Sequence, residues 1–290
     1  MVGTRQPAVA GRFYERDAQA LRASLKECFL HALGPGHLPE VDPNGPGRMQ
    51  ALVSPHAGYM FSGPAAAHGY AALAADGIPE VAVLLGPSHY VSSRQAALSL
   101  ARAWRTPLGE VLVDMELGRH LLAASDLVEA DERTHAAEHS LEVQLPFLQF
   151  VYGEQTPRIV PVCVRAHPFG GGEQLAADAR ALGEALATVV GRRRAVVVAS
   201  TDFSHQVPQA VAQREDKLAL DAILARDGDR LLHTVVTHRI SMCGPAPVAM
   251  ALAYANRRGA QEAKLLRYYT SGDILGDSEA VVGYASVGVS

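Results

Sequence analysis

Short apolar runs alternate with longer amphipathic stretches along this chain. The runs at residues 49–53, 81–85 and 195–199 are short and almost wholly apolar, which predicts buried strands. Apolar residues at helical spacing, such as Leu21 and Leu25, predict helices. Strands and helices alternate almost throughout, and no linker is long enough to separate two units. We therefore expect an α/β fold, a single three-layer domain over residues 1–290 with a mostly parallel or mixed central sheet.

The same periodicities place the remaining elements. Helices are predicted over residues 17–33, 64–75, 115–124, from 140 onward, 175–190, 211–225 and 245–256. Ser62 is the predicted N-cap of the second of these. Further strands are predicted over residues 96–114, 159–164, 265–269 and 280–287.

Each of the three apolar runs leads into a polar segment that carries a histidine: His56, His89 and His205. In open α/β folds, ligands bind where the carboxyl ends of the strands meet. Neutral imidazole is a frequent metal ligand and general base. One such histidine alone is usually structural, but three at converging strand ends predict a shared polar site. Six others lack this context and are expected to be structural: His31, His37, His68, His120, His167 and His233.

Cys243 and Asp202 are further candidates for chemistry. Cys243 precedes a predicted helix whose first turn contains Pro245, and a helix N-terminus lowers the pKa of a thiol. A small buried apolar residue is the alternative at this position. Asp202, three residues before His205, is suited to orient a histidine, bind a metal or cap a helix.

Residues 135–139, His-Ala-Ala-Glu-His, match the H-x-x-E-H pattern of inverted zinc proteases. That chemistry needs His135 and His139 on one face of a formed helix, and both precede the predicted helix that begins at Ser140. We therefore do not expect a protease. Glu138 and His139, with Glu142, are instead expected to line the pocket and support the metal ligands.

Composition narrows the class of protein. Of 290 residues, 48% are hydrophobic and 19% charged, which is typical of a globular domain. The net charge is −4, and the one basic run, residues 192–194, lies between a predicted helix and a strand, so nucleic acid is not an expected partner. Three separated cysteines indicate a reducing cytoplasm, and no apolar stretch is long enough for a membrane span. We expect a cytoplasmic protein with no membrane partner.

Motifs from residue 5 to residue 285 resemble, in order, those of the Memo-like family. They are RQPAVAGRFY (5–14), PHAGY (55–59), GPSH (86–89), EHSLE (138–142), DFSH (202–205), MCG (242–244) and VGYA (282–285). A further stretch, YTSGD (269–273), is similar to the prokaryotic branch, known as component B of the AmmeMemoRadiSam system. The resemblance covers nearly the whole chain.

The resemblance implies a fold similar to class III extradiol (LigB-type) dioxygenases, which are non-haem Fe(II) enzymes. It implies that His56, His89 and Cys243 bind the metal, with Fe(II) expected and copper or zinc as alternatives. His205 would be the acid/base residue, oriented by Asp202. The dioxygenases use two histidines and a carboxylate, whereas a thiolate makes the site softer and oxidisable. Catechol ring cleavage therefore does not follow from the fold.

The remaining implications concern the pocket and the partners. Tyr59 and Phe203, with Phe61 and Tyr90, are candidates for the pocket wall. The substrate would be an unidentified small molecule, with a functional link to a radical SAM protein and an AMMECR-type protein. Two other functions stay open: a metal- or peptide-binding adaptor without turnover, and a zinc-dependent hydrolase that uses the same residues.

Overall fold

Helices and strands alternate along the chain in a computed structural model that describes residues 3–90, 95–165 and 172–290. His167 lies outside these ranges. The strands are β1 Thr4–Arg5, β2 Ala51–Ser54, β3 Val81–Ser88, β4 Ala96–Leu98, β5 Ala103–Thr106, β6 Gly109–Leu112, β7 Val128–Ala130, β8 Arg158–Arg165, β9 Ala195–Ser200, β10 His205–Val207, β11 Ala263–Thr270 and β12 Val281–Val289. The helices are α1 Ala18–Leu30, α2 Tyr59–Asp76, α3 Met115–Ala124, α4 Glu132–His135, α5 Leu145–Tyr152, α6 Gly172–Val190, α7 Gln209–Leu224, α8 Gly228–His238, α9 Pro245–Arg257 and α10 Gly272–Leu275.

Within the described residues, the main sheet has nine strands in a mixed arrangement. Its order is β10-β12-β2-β9-β3-β8-β4-β7, and β11 pairs with β12. The centre, from β2 through β9 and β3 to β8, is parallel, whereas β12 runs antiparallel to β2 and β4 antiparallel to β8. A second sheet, in the order β1-β5-β6, adjoins β8 of the first through an isolated bridge between Val113 and Ile159. The α/β class and the mixed central sheet confirm the prediction.

Helices cover both faces of the main sheet. Successive side chains of a strand point to opposite faces, so Val81 and Val83 pack on one side while Ala82 and Leu84 pack on the other. The first side is covered by α3, α6, α7, α8 and α9, and the second by α1, α2 and α5. Strands buried on both faces explain the continuous apolar runs of the sequence.

Two local expectations are wrong. Helix α2 begins at Tyr59, capped by the backbone of Gly58, so Ser62 lies inside the helix and donates to the carbonyl of Ala57 instead of acting as the N-cap. The segment after Ser140 forms a 3₁₀ turn, Glu142–Gln144, before α5 begins. Helix α8 has no predicted counterpart.

Among the described residues, no helix combines the length and apolarity needed to cross a lipid bilayer.

Candidate metal centre

The carboxyl ends of three central strands supply the first part of the candidate site. His56 lies two residues beyond β2, His89 directly follows β3, and Asp202 lies two residues beyond β9. Strand register aligns these ends, because Ser54 of β2 pairs with Ser200 of β9. The sheet therefore brings distant segments of the chain to one edge, as the sequence predicts.

Three imidazoles converge at this edge. One ring nitrogen from each of His56, His89 and His139 lies within 4.8 Å of the others. The rings of His89 and His139 stack with centroids 4.5 Å apart, and His56 meets both nearly edge-on, at 5.3 and 5.4 Å. His56 is buried, His139 partly buried and His89 the most open, with a side chain 31% exposed. The group is thus buried at His56, which forms the floor of the site, and open to solvent at His89, which lies on its open side.

His56 is held by a polar network beneath the site. Its Nδ1 lies 2.9 Å from the hydroxyl of Ser200, which donates to the carbonyl of Ser140 and accepts from the amide of Gln144. The other ring nitrogen of His56, Nε2, lies 3.3 Å from the sulfur of Cys243. Burial, followed by the charges of His139, His89 and His205, lowers the pKa of His56 well below its usual value. The ring is therefore neutral at physiological pH, which is the form that binds metals.

Glu138 holds the other two histidines. Its buried carboxylate lies 3.0 Å from Nδ1 of His89 and 3.3 Å from Nδ1 of His139. Burial by itself raises the pKa of Glu138, but the hydrogen bond and charge of His89, with the amide of Ser140, lower it to about 2. Burial lowers the pKa of His139 to about 4, against the opposing charge of Glu138. Glu138 is thus an anion whose carboxylate lies beside both rings.

Cys243 lies beside the imidazoles, just before α9. Its sulfur is 3.3 Å from Nε2 of His56 and accepts the backbone N–H of Asp202 at 3.1 Å. The expected lowering of the thiol pKa is wrong. Burial, and then the charge of Asp202, raise the pKa of Cys243 above its usual value. In the absence of metal the residue is a neutral thiol in contact with His56, and its sulfur does not belong to the group of ligand atoms that lie within 4.8 Å of one another.

Asp202 and His205 occupy neighbouring positions with separate partners. One carboxylate oxygen of Asp202 accepts the backbone N–H of His56 at 2.8 Å, and burial raises the pKa of this acid although the nearby His205 opposes the shift. The ring of His205 is anchored by Ser241, whose carbonyl oxygen lies 2.8 Å from Nδ1. A carbonyl oxygen only accepts hydrogen bonds, so the neutral ring of His205 carries its proton on Nδ1 and its lone pair on Nε2.

Two of the four expected wall residues, Tyr59 and Phe203, are buried in the core. The hydroxyl of Tyr59 donates to the carbonyl of Val143 at 2.7 Å, and Phe203 is fully buried in the sheet–helix core. Phe61 packs against Tyr269 and Tyr284, and Tyr90 is exposed. Phe13, which the sequence analysis did not single out, packs on the ring of His139 with centroids 4.5 Å apart.

His135 is separated from the site. It is fully buried, with Nε2 3.0 Å from the carbonyl of Ala97 and Nδ1 3.4 Å from the sulfur of Cys163. It ends α4, whereas His139 lies beyond that helix. The two histidines of the H-x-x-E-H match therefore do not share a helix face, and the chain does not present a protease-type metal motif.

The donor set suits a borderline transition metal. Neutral imidazoles bind zinc, copper, iron and nickel, and a nearby thiol adds a soft ligand once it loses its proton. The sequence predicts a supporting role for His139, whereas its ring belongs to the converging group. The EHSLE motif was the signal that could have found it. Residues 136–141 form an irregular loop between α4 and the 3₁₀ turn, so helical spacing alone could not show where this ring points.

Comparison with known proteins gives one consistent result. A family model described as Memo-like protein matches residues 5–288. A MEMO1 family protein of Methanopyrus kandleri is 45% identical over 285 residues, covering 98% of each chain. One from Methanothermobacter thermautotrophicus is 44% identical over 283 residues, covering 97% of this chain and 98% of the relative.

Among solved structures, the fold is similar to that of an uncharacterized protein, JW3007, from Escherichia coli K12. The TM-score is 0.52 with 15% sequence identity, over 83% of this chain and 100% of the other. At that identity the similarity concerns the fold alone.

Proposed function

The chain belongs to the Memo-like family, and from that premise we propose that it is a mononuclear metal protein with non-haem iron, or copper, that carries out redox chemistry on a small molecule. The convergence of three imidazoles at the carboxyl edge of the sheet is the observation that carries the proposal. A triad of protein ligands leaves coordination positions open, as oxygen-dependent iron sites require. The reaction partner, and any link to a radical SAM or AMMECR-type protein, remain predictions.

The geometry and the family motifs both favour His56 and His89 as ligands. The third place has two candidates: His139, whose ring nitrogen lies within the group, and Cys243, which the family motif suggests. A site with His139 is harder and has no oxidisable ligand, whereas Cys243 makes it softer and more favourable to copper. Cys243 lies against the buried His56, whereas His139 stacks on the more open His89, so the two candidates stand on different sides of the group.

When bound, a redox-active metal supplies electron transfer and activates oxygen, while the chain supplies binding and proton transfer. His205 is placed for the second task, because Ser241 engages its Nδ1 and leaves Nε2 to take a proton from the substrate. The carboxylate of Asp202 accepts the backbone N–H of His56. Asp202 therefore positions the ligand His56 rather than the base His205.

A zinc-dependent hydrolase is the second candidate, and the three-histidine geometry itself favours it. Three histidines with an open fourth position are a known ligand set for catalytic zinc. The adaptor function has no comparable support: the strand ends in the described part of the chain bring together imidazoles and a carboxylate, which suit a metal ion rather than a phosphorylated peptide.

The test is metal quantification after anaerobic purification, followed by oxygen-uptake assays. We expect about one metal per chain, since three ligands form a minimal open site. His56→Ala and His89→Ala should each lose most of it. The third ligand is identified by comparing His139→Ala with Cys243→Ser, and His120→Ala, a surface histidine of α3, is the matched control.

Each outcome has a distinct meaning. Iron or copper with oxygen uptake supports the redox function. Zinc with hydrolytic activity supports the second candidate, and metal without any turnover favours an adaptor. Full metal content in both His56→Ala and His89→Ala would overturn the site itself.

A further inference from the structure

One buried carboxylate contacts both of the histidines on the open side of the site. Oε2 of Glu138 accepts the backbone N–H of His89 at 2.6 Å. Oε1 accepts the backbone N–H groups of His139 and Ser140 at 2.7 and 2.8 Å. Nδ1 of His89 lies 3.0 Å from the same Oε1, and Nδ1 of His139 lies 3.3 Å from it. Glu138 therefore touches each histidine at its backbone and at its ring.

This arrangement determines where the ring protons lie. An ionised carboxylate only accepts hydrogen bonds, so a neutral ring that faces it carries its proton on Nδ1. The lone pair then lies on Nε2, the nitrogen on the far side of the ring. In the opposite tautomer, the lone pair would face the carboxylate and an N–H would point at the metal position.

We infer that Glu138 is a positioning residue that fixes the tautomers of His89 and His139 together, so that both rings present Nε2 to one metal ion. The inference rests on the metal site proposed above. Glu138 orients only His89 and His139, the two histidines on the open side of the site. His56 is oriented separately, by Ser200. A carboxylate that orients a ligating histidine also increases the basicity of the ligand.

Glu138→Gln is the sharpest substitution because it keeps the shape of the side chain. Both oxygens of Glu138 accept N–H groups, so in either amide orientation the new NH₂ group faces a donor. We expect metal affinity, measured by Co(II) titration, to fall about 10–100-fold. The Co(II) absorption spectrum should also change, because the two rings move.

Asp114→Asn is the matched control. Asp114 is also a buried carboxylate, but it lies at the amino end of β8, away from the edge that carries the site. It accepts the backbone N–H of Leu117 at 3.0 Å and pairs with Arg193 at 2.8 Å, and among the described residues it accepts no hydrogen bond from an imidazole. The variant should bind Co(II) with wild-type affinity and spectrum even if its stability falls.

A second measurement needs no variant. Nitrogen-15 NMR of the metal-free wild type should show the Nδ1–H tautomer at His89 and His139. The Nε2–H tautomer at His89, or wild-type Co(II) affinity in Glu138→Gln, would overturn the inference while leaving the metal site standing. Wild-type protein that binds no metal would instead refute the proposed function, and the tautomers would still decide the role of Glu138.

Discussion

At Cys243, burial outweighs the helix that follows. The residue stands before Gly244, the N-cap of α9, so its thiol lies outside the first turn where the helix dipole acts most strongly. Burial and the neighbouring Asp202 both disfavour the thiolate and raise the thiol pKa. A bound cation would reverse this local balance and favour the thiolate.

This predicts an order of modification among the cysteines. Limiting maleimide added to the native metal-free protein should label Cys243 first, because Cys28 and Cys163 are buried, but more slowly than in the unfolded chain. Peptide mass spectrometry gives the order. Added metal should protect Cys243 if its sulfur is the third ligand and leave its rate unchanged if His139 takes that place. Equal labelling of all three cysteines in the native protein would contradict the structure.

At the scale of elements, β12 and α7 hold the loop between β9 and β10. Asp216 of α7 receives both the backbone amide and the hydroxyl of Ser204. Gly283 of β12 exchanges backbone hydrogen bonds with this loop and lies directly against the Asp216 carboxylate. A side chain at Gly283 has no room, because its Cβ would stand 2.0 Å from Oδ2 of Asp216. The loop that carries Asp202 and His205 is thus positioned by a close approach of strand and helix.

Gly283→Ala should therefore destabilise the protein. Overpacking of this kind costs about 1–3 kcal/mol, and the displaced carboxylate cannot keep both bonds to Ser204. Chemical denaturation measures the loss. Gly288→Ala in the same strand is the control, since its Cβ would meet the flexible end of Met49 at 3.2 Å. Equal stability of the two variants would refute the packing argument.

At the scale of the whole molecule, Arg5 joins the small sheet to the loop that carries the site. Its guanidinium donates to Glu142 at 2.6 Å and to the backbone carbonyls of His135 and Glu138, and lies over the ring of Trp104. Glu142, fully buried, also accepts the hydroxyl of Tyr14 at 2.6 Å. The first motif of the chain therefore supports the loop that carries His139.

Arg5→Ala leaves Glu142 buried without its cation, which costs about 3–5 kcal/mol. Denaturation followed by the fluorescence of Trp104, the single tryptophan, measures this loss. Arg5→Lys should lose less, because it keeps the charge but not the forked donors. Arg102→Ala breaks an exposed ion pair with Glu110 in the same small sheet and should cost at most about 1 kcal/mol. A loss as small for Arg5→Ala as for Arg102→Ala would show that the buried pair is not a support.

Local pattern was sufficient for the fold class and for part of the site. Continuous apolar runs identified the central strands, because burial on both faces removes the polar alternation. Since the carboxyl ends of parallel strands share an edge, the placement of His56 and His89 together also followed from sequence alone. Motif resemblance supplied the family, which no periodicity could indicate.

Tertiary contacts decided the rest. His139 comes from an irregular loop, and its direction depends on Arg5, Glu138 and Phe13, which are distant in sequence or carry no periodic signal. The pKa of Cys243 depends on burial and on Asp202, whereas its position before a helix suggested the opposite shift. Chain pattern determines which segments become buried strands and helices, but the partners of a polar side chain in a loop depend on packing between segments far apart in the chain.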